Sequence, residues 1–232
     1  MTNAFEPEMQ KNAIWDGVTK PESLDEVQVE IRQGLATACK NYDWQNALQV
    51  LSNHQELINS TRPGGQSRFT PLHQAAHGGA SVEVVRQLLE LGAFKTVRDS
   101  RGRRALDIAF ENSRTHLFEV LEPENKWQIS ADQLVLIQTR FHKVIRKRAQ
   151  DLVEEHRLRL PELEPMLEYV HKRFFFAVPG MCGGFAFWLD DFSLSPRLLS
   201  ESWCRVVGGS GQRHEITHGR TKLVDEGFDY GM

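Results

Sequence analysis

Apolar positions along the chain fall into three regimes. Leu24, Val27, Ile31 and Leu35 keep helical spacing. Ser23, Leu24, Asp25 and Glu26 have capping-box spacing, in which Ser23 accepts from the third helical N–H and Glu26 reaches back. A helix therefore starts near residue 24. Short helical stripes recur through the middle of the chain, as Leu72, Ala75 and Ala76 and again as Val84, Val85, Leu88 and Leu89. From Ser130, another capping-box start with Gln133, the positions Leu134, Ile137, Phe141, Val144, Ile145 and Leu152 predict one long helix over 130–159, stopped by Pro161. A short helix follows near 164–171. Beyond Phe174 the pattern is that of strands: 174–178, 185–189, 201–207, 213–217 and 221–224. Turns fall at 179–184, 208–211 and 218–219. An antiparallel meander of four or five strands, packed on the long helix, is the natural product.

The middle of the chain repeats. Leu72 matches Leu106 and Ala75 matches Ala109, both 34 residues apart. Thr70 is placed to cap a helix, Pro71 suits its first position, and Gly92 suits a left-handed end to the helix after it. Small Ala75 and Ala76 let neighbouring helices approach closely. The run Thr70-Pro71-Leu72-His73-Gln74-Ala75-Ala76 resembles the ankyrin repeat, whose period is about 33 residues. The resemblance implies about three stacked two-helix repeats, one clear and two degenerate. Residues 35–39 and 43–51 form the first, 37 residues earlier than the clear one, with a lengthened finger over 60–68. Residues 115–121 form a shortened last helix before Pro123. Isolated repeats cannot bury their faces, so the ends need caps; the helix near 24–33 and the helical segment after Pro123 are placed to serve. The tail also resembles a group of bacterial ankyrin-repeat proteins through Val178-Pro179-Gly180-Met181, Gly183-Gly184-Phe185 and the segment from Trp203 to Thr217. That kinship implies no activity.

The predicted architecture is thus a mostly α ankyrin-repeat solenoid, then a long helix and a small antiparallel β-sheet, α+β overall. Four segments follow: an acidic lead-in over 1–22, the repeats with a capping helix over 23–123, a helical connector over 124–172 and a β domain over 173–232.

Composition narrows the function classes. The 232 residues are 40% hydrophobic and 25% charged, with 17 Gly and 9 Pro, which excludes wholesale disorder and collagen-like chains. The formal net charge of -3 argues against nucleic acid. Residues 1–30 hold seven acidic and two basic side chains, so this weakly apolar lead-in is expected to stay loose, although Ile14 and Trp15 offer docking points. No apolar run reaches about 18 residues, so no membrane span is expected, and residues 1–15 lack the pattern of a signal peptide. Three scattered cysteines, Cys39, Cys182 and Cys204, read as free thiols in a reducing cytoplasm.

Several motifs invite chemistry. His214-Glu215-Ile216-Thr217-His218 is a literal H-E-x-x-H. Its neighbours are Gly208, Gly209, Gly211 and Gly219 with two β-branched residues inside, so it reads as a strand and turn. Residues four apart on a strand lie about 13 Å apart, too far for His214 and His218 to share one metal. His73 and His77 are also four apart, but the ankyrin resemblance implies that His73 hydrogen-bonds backbone in the neighbouring turn. The glycines at 208–211 join two strands and read as a hairpin rather than a phosphate cradle. Glu201, Trp203 and Arg205 alternate along one strand face; with Arg213 and His214 they form a candidate site for an anion or a small polar ligand. Cys204 and His214 are candidate cross-strand neighbours. Arg140, Lys143, Arg146, Lys147 and Arg148 make the long helix basic, reading either as a solvated face or as a dock for an acidic partner.

Two functions remain. The leading one is a non-catalytic cytoplasmic adaptor, without cofactor or metal, that binds another protein, with an acidic surface as the expected partner chemistry. Its contact residues would be Tyr42, Trp44, Arg68, Arg98, Arg101 and Arg103, on or beside the fingers. The alternative places a ligand or an enzymatic site in the β domain, at Glu201, Trp203, Arg205, Arg213 and His214, with the repeats as scaffold; its zinc-hydrolase version would use His214 and His218.

Overall fold

The computed structural model describes residues 12–170, 172–190, 196–204 and 210–227. Three antiparallel helix pairs stack in chain order. α1 (Glu26–Lys40) pairs with α2 (Trp44–Asn53), α3 (Pro71–Gly78) with α4 (Val82–Glu90), and α5 (Ala105–Glu111) with the short α6 (Phe118–Leu121). Each start has a local cause. Asp25, Asp43, Thr70 and Ser81 accept from the third N–H of α1, α2, α3 and α4. The cap of α1 is Asp25 rather than Ser23, because the residues from Pro21 to Ser23 form a 3-10 turn of their own. Ala47, Ala75, Ala76 and Ala109 are fully buried where helices meet.

The repeat is written in the backbone too. The inner helices end in left-handed residues at Tyr42, Gly79 and Ser113 (φ 60°, 70° and 56°), and the two finger tips turn on Arg68 and Gly102 (φ 54° and 77°). Those positions keep the 37- and 34-residue spacings. Glycine adopts this conformation freely; Tyr42 and Arg68 hold it at a cost of about 1 kcal/mol each.

The caps differ from expectation. Residues 24–33 are not a separate helix, since α1 runs without a break into the first inner helix. The long helix α7 (Ala131–Glu155) packs on β2, β4 and β5 rather than on the last repeat. It ends four residues early, and Ala149 interrupts it (φ −148°, ψ 34°).

Among the described residues, six strands form one sheet in the order β1-β2-β3-β4-β5-β6: Ala13–Ile14, Phe174–Val178, Gly183–Asp190, Arg197–Cys204, Ser210–Ile216 and Thr221–Glu226. The last five make the antiparallel meander read from the sequence. β1 is new and pairs parallel with β2, Ala13 opposite Phe174. β4 begins at Arg197, earlier than predicted, and β5 begins at Ser210, inside the predicted glycine turn; the rest of that turn, Gly208 and Gly209, lies outside the described residues. The face toward α7 is phenylalanine-rich: Phe174, Phe176, Phe185 and Phe187 are fully buried with Phe141.

The described residues form two hydrophobic cores, one inside the helix pairs and one between α7 and the sheet. The boundaries drawn from sequence do not separate them. Phe94 and Val97, from the finger between α4 and α5, belong to the core of the sheet, as do Ala13 and Trp15. Within the acidic lead-in, residues 12–23 are ordered against the end of α7. Trp15 Nε1 donates to the Arg159 carbonyl (2.9 Å), Arg159 N to the Gly17 carbonyl (2.8 Å) and Thr19 Oγ1 to the Arg157 carbonyl (2.8 Å), while Asp16 pairs with Arg32. Burial of one indole and a strand pairing offset the ordering cost that its composition suggested.

Candidate functional site

The inner helices α1, α3 and α5 and the two fingers enclose a groove in two connected lobes. One, of about 390 Å³, runs between α1, α3 and the first finger; the other, of about 720 Å³, lies between the first and second fingers beside α5. Gln66, Ser67, Phe69 and His77 line both lobes.

An aromatic rail forms the floor. The Tyr42 hydroxyl bonds His77 Nδ1 at 2.9 Å, Phe69 lies 6.1 Å from His77 and 5.6 Å from His73, and the Arg103 guanidinium stands 5.8 Å above Phe69. Gly78 is required here, because any Cβ on it would strike the Tyr42 ring. His73 is fully used in the stack: Nδ1 meets Thr70 and Nε2 lies 3.2 Å from the Arg103 carbonyl. Burial pushes its pKa down to about 4, so it is neutral at pH 7. This agrees with the role that the ankyrin resemblance implied.

The walls are basic. Five basic side chains line the two lobes, Lys40, Arg62, Arg68, Arg101 and Arg103, against two acidic ones, Asp99 and Glu111. Both acids are held by Arg103. Burial opposes the Asp99 charge, but hydrogen bonds from Arg103 and Arg101 outweigh it and keep that carboxyl below its ordinary value. Arg62 is bound to Thr37 Oγ1 (2.7 Å). Lys40, Arg68 and Arg101 are exposed, and no carboxylate pairs with them among the described residues.

Tyr42, Arg68, Arg101 and Arg103 therefore share one surface. Trp44 and Arg98 do not reach it. Trp44 packs half-buried against the repeat core, its ring 6.5 Å from Tyr42. Arg98 faces the opposite side of the second finger, where residues 159–168 clasp it. Glu164 pairs with Arg98 (2.9 Å) and with Arg104, Glu162 accepts from Arg98 N (3.1 Å), and the Arg159 guanidinium donates to the Arg98 carbonyl. Glu168 accepts from Lys95 N (3.1 Å), Thr96 N (2.9 Å) and Thr96 Oγ1 (2.5 Å). Sequence reasoning missed Lys40, Phe69 and His77 as lining residues. The repeat offsets could have found them, since Arg68 and Gly102 are equivalent finger tips.

The β-domain constellation is divided by the sheet. Glu201 is 3% exposed and lies opposite Arg213, which reaches it at 2.7 Å, with Arg173 at 3.7 Å. Trp203, on the same face, stacks on Phe175 (5.4 Å). His214 is on the other face, opposite Ser200, where burial and then Lys147 and Arg148 push its pKa down. Adjacent strand residues must point apart, so Arg213 and His214 do not converge. Arg205 lies outside the described residues. His218 is exposed in the turn after β5, and Cys204 lies opposite Ser210, not His214. Among the described residues no group of three or more His, Cys, Asp or Glu is placed to hold a metal ion, and no helix is long and apolar enough to cross a membrane.

None of the curated proteins compared matches the chain. Among solved structures, the chain aligns with one described as Bd0816 predatory endopeptidase from Bdellovibrio bacteriovorus in complex with immunity protein Bd3460. The two are 18% identical over 53% of this chain and 66% of that one, with a TM-score of 0.35. A likeness of that size carries no argument about fold or function. A family model described as ankyrin repeats (3 copies) matches residues 35–130. The stacked helix pairs, left-handed helix ends and matched finger tips of that stretch thus belong to three ankyrin repeats.

Proposed function

We propose that the chain is a cytoplasmic adaptor whose concave groove binds the acidic surface of another protein, without catalysis of its own. One observation carries this reading: an exposed aromatic floor walled by Lys40, Arg68 and Arg101, without carboxylate partners among the described residues, on a chain of net charge -3. Exposed charges of one sign around a concavity attract the opposite sign and raise association rates. Ankyrin stacks present such rigid surfaces to proteins. The left-handed backbone at Tyr42 and Arg68 supports the same reading, since strain of this kind concentrates at binding sites. The free thiols Cys39, Cys182 and Cys204 support the location.

A photo-cross-linking residue at Gln66, in the shared part of the groove, tests the proposal in cells. The expected result is a discrete cross-linked partner, lost in the Arg68→Glu, Arg101→Glu double variant and kept in Arg86→Glu on the outer helix α4. Each reversal should weaken binding about tenfold, with unchanged thermal unfolding. A partner captured equally by the double variant would overturn the placement.

A further inference from the structure

A second cleft, of about 390 Å³, lies between the two cores and apart from the groove. That volume falls in the range of about 300–1,000 Å³ typical of ligand pockets, which favour such junctions. Its apolar lining includes Ile14, Ile58 and Phe94, and its polar lining includes Lys172.

Two features are unfinished. The first is the free edge of β1. Ala13 N and Trp15 N donate to the Arg173 and Phe175 carbonyls of the β2 side. Ile14, between them, turns its N–H and C=O to the cleft, where no backbone partner meets them among the described residues. The second is the Lys172 ammonium. It sits 4.6 Å from the centroid of the Tyr169 ring and has no carboxylate partner among the described residues. Burial alone lowers its pKa, so a half-buried cation stands there with no counter-ion among the described residues. Glu56 and Glu90 are exposed on the rim, and Glu56 is paired with His54 (3.4 Å).

We propose that this cleft takes the extended C-terminal end of a partner polypeptide, which adds a strand along β1 and sets its terminal carboxylate on Lys172. An exposed strand edge supplies main-chain hydrogen bonds to any extended peptide, and a cation in the lining of the cleft supplies selectivity for a terminal carboxylate. The rim glutamates favour a basic side chain further up that peptide.

The probe is N-acetyl-Ala-Lys-Ala-Val-Ala as the free acid and as the C-terminal amide, titrated into the full chain and followed through the backbone amide signals of Ile14 and Lys172. The free acid should bind about tenfold more tightly than the amide, the difference expected of one charge-assisted contact. Lys172→Met should abolish that preference and Lys172→Arg should keep it, both with unchanged thermal unfolding. The Arg68→Glu, Arg101→Glu variant should bind the peptide as wild type does, which separates this site from the groove. Equal binding of acid and amide overturns the assignment. So does an unmoved Ile14 signal at millimolar peptide, or a dimer of this chain that fills the cleft and excludes the peptide.

Discussion

Glu168 is the bond between the two cores that can be weighed most directly. Its carboxylate accepts from two backbone N–H groups and one hydroxyl on the second finger, and Thr96 beneath it is 4% exposed. Glu168→Ala strands all three donors, at about 1–3 kcal/mol for each one left buried and unpaired. Part of that is returned, because burial disfavours the wild-type charge and holds the Glu168 pKa above its ordinary value. The expected net loss is about 3 kcal/mol. In urea this lowers the unfolding midpoint by about 1 M, for a slope of about 3 kcal/mol/M. Hydrogen exchange at Lys95 and Thr96 should accelerate more than exchange inside α3. Glu168→Gln keeps one acceptor but turns an amide donor toward a backbone N–H, and should cost about half as much. The sign with pH is fixed by the raised pKa. The contribution of Glu168 is full below the ordinary glutamate value and declines as pH rises through its own higher one, so the gap between wild type and Glu168→Gln should be widest in acid. Stability of Glu168→Ala within about 0.5 kcal/mol of wild type would refute the reasoning.

Two further outcomes follow from the packing. His73 is neutral in the fold down to about pH 4 and has an ordinary value of 6.5. Its contribution is therefore present above pH 6.5 and lost as pH falls toward 4, to a total of about 3 kcal/mol; urea titrations across that window should show a loss that His73→Asn removes. Trp15 is 3% exposed, bonds the Arg159 carbonyl and lies under the Arg159 guanidinium at 5.0 Å. Trp15→Ala should cost about 3–5 kcal/mol by calorimetry or denaturant, a result that a loosely attached lead-in would not give.

The legible parts of the sequence were those with local causes. Thr70, Pro71 and the paired alanines identified α3 because cap, first turn and close packing act within a few residues. The 34-residue offset from Leu72 and Ala75 to Leu106 and Ala109 located α5 for the same reason. The second finger was legible as a basic loop, but not its burial on one side, because Glu162, Glu164 and Glu168 come from a segment that reads as a plain connector. β1 was invisible: two residues show no alternation, and a parallel partner so far along the chain leaves no local trace. α7 was found with nearly correct limits and with its packing on the sheet, where the phenylalanine face meets it. Arg213 and His214 could have been separated from the sequence alone, since a strand reading already places neighbours on opposite faces. The same logic applied to Glu201 and Trp203 correctly put them on one side.

The parallel pairing of Ala13 with Phe174 has a consequence for biogenesis. Synthesis delivers β1 first and its partner strand β2 after all three repeats have emerged. The helix pairs, made of contacts between near neighbours, can assemble as they leave the ribosome. Trp15 must wait, its indole uncovered, until α7 and the start of the meander arrive. A nascent chain stalled before Phe174 would therefore carry a finished solenoid and a sticky, unclaimed leader, the form most in need of a chaperone.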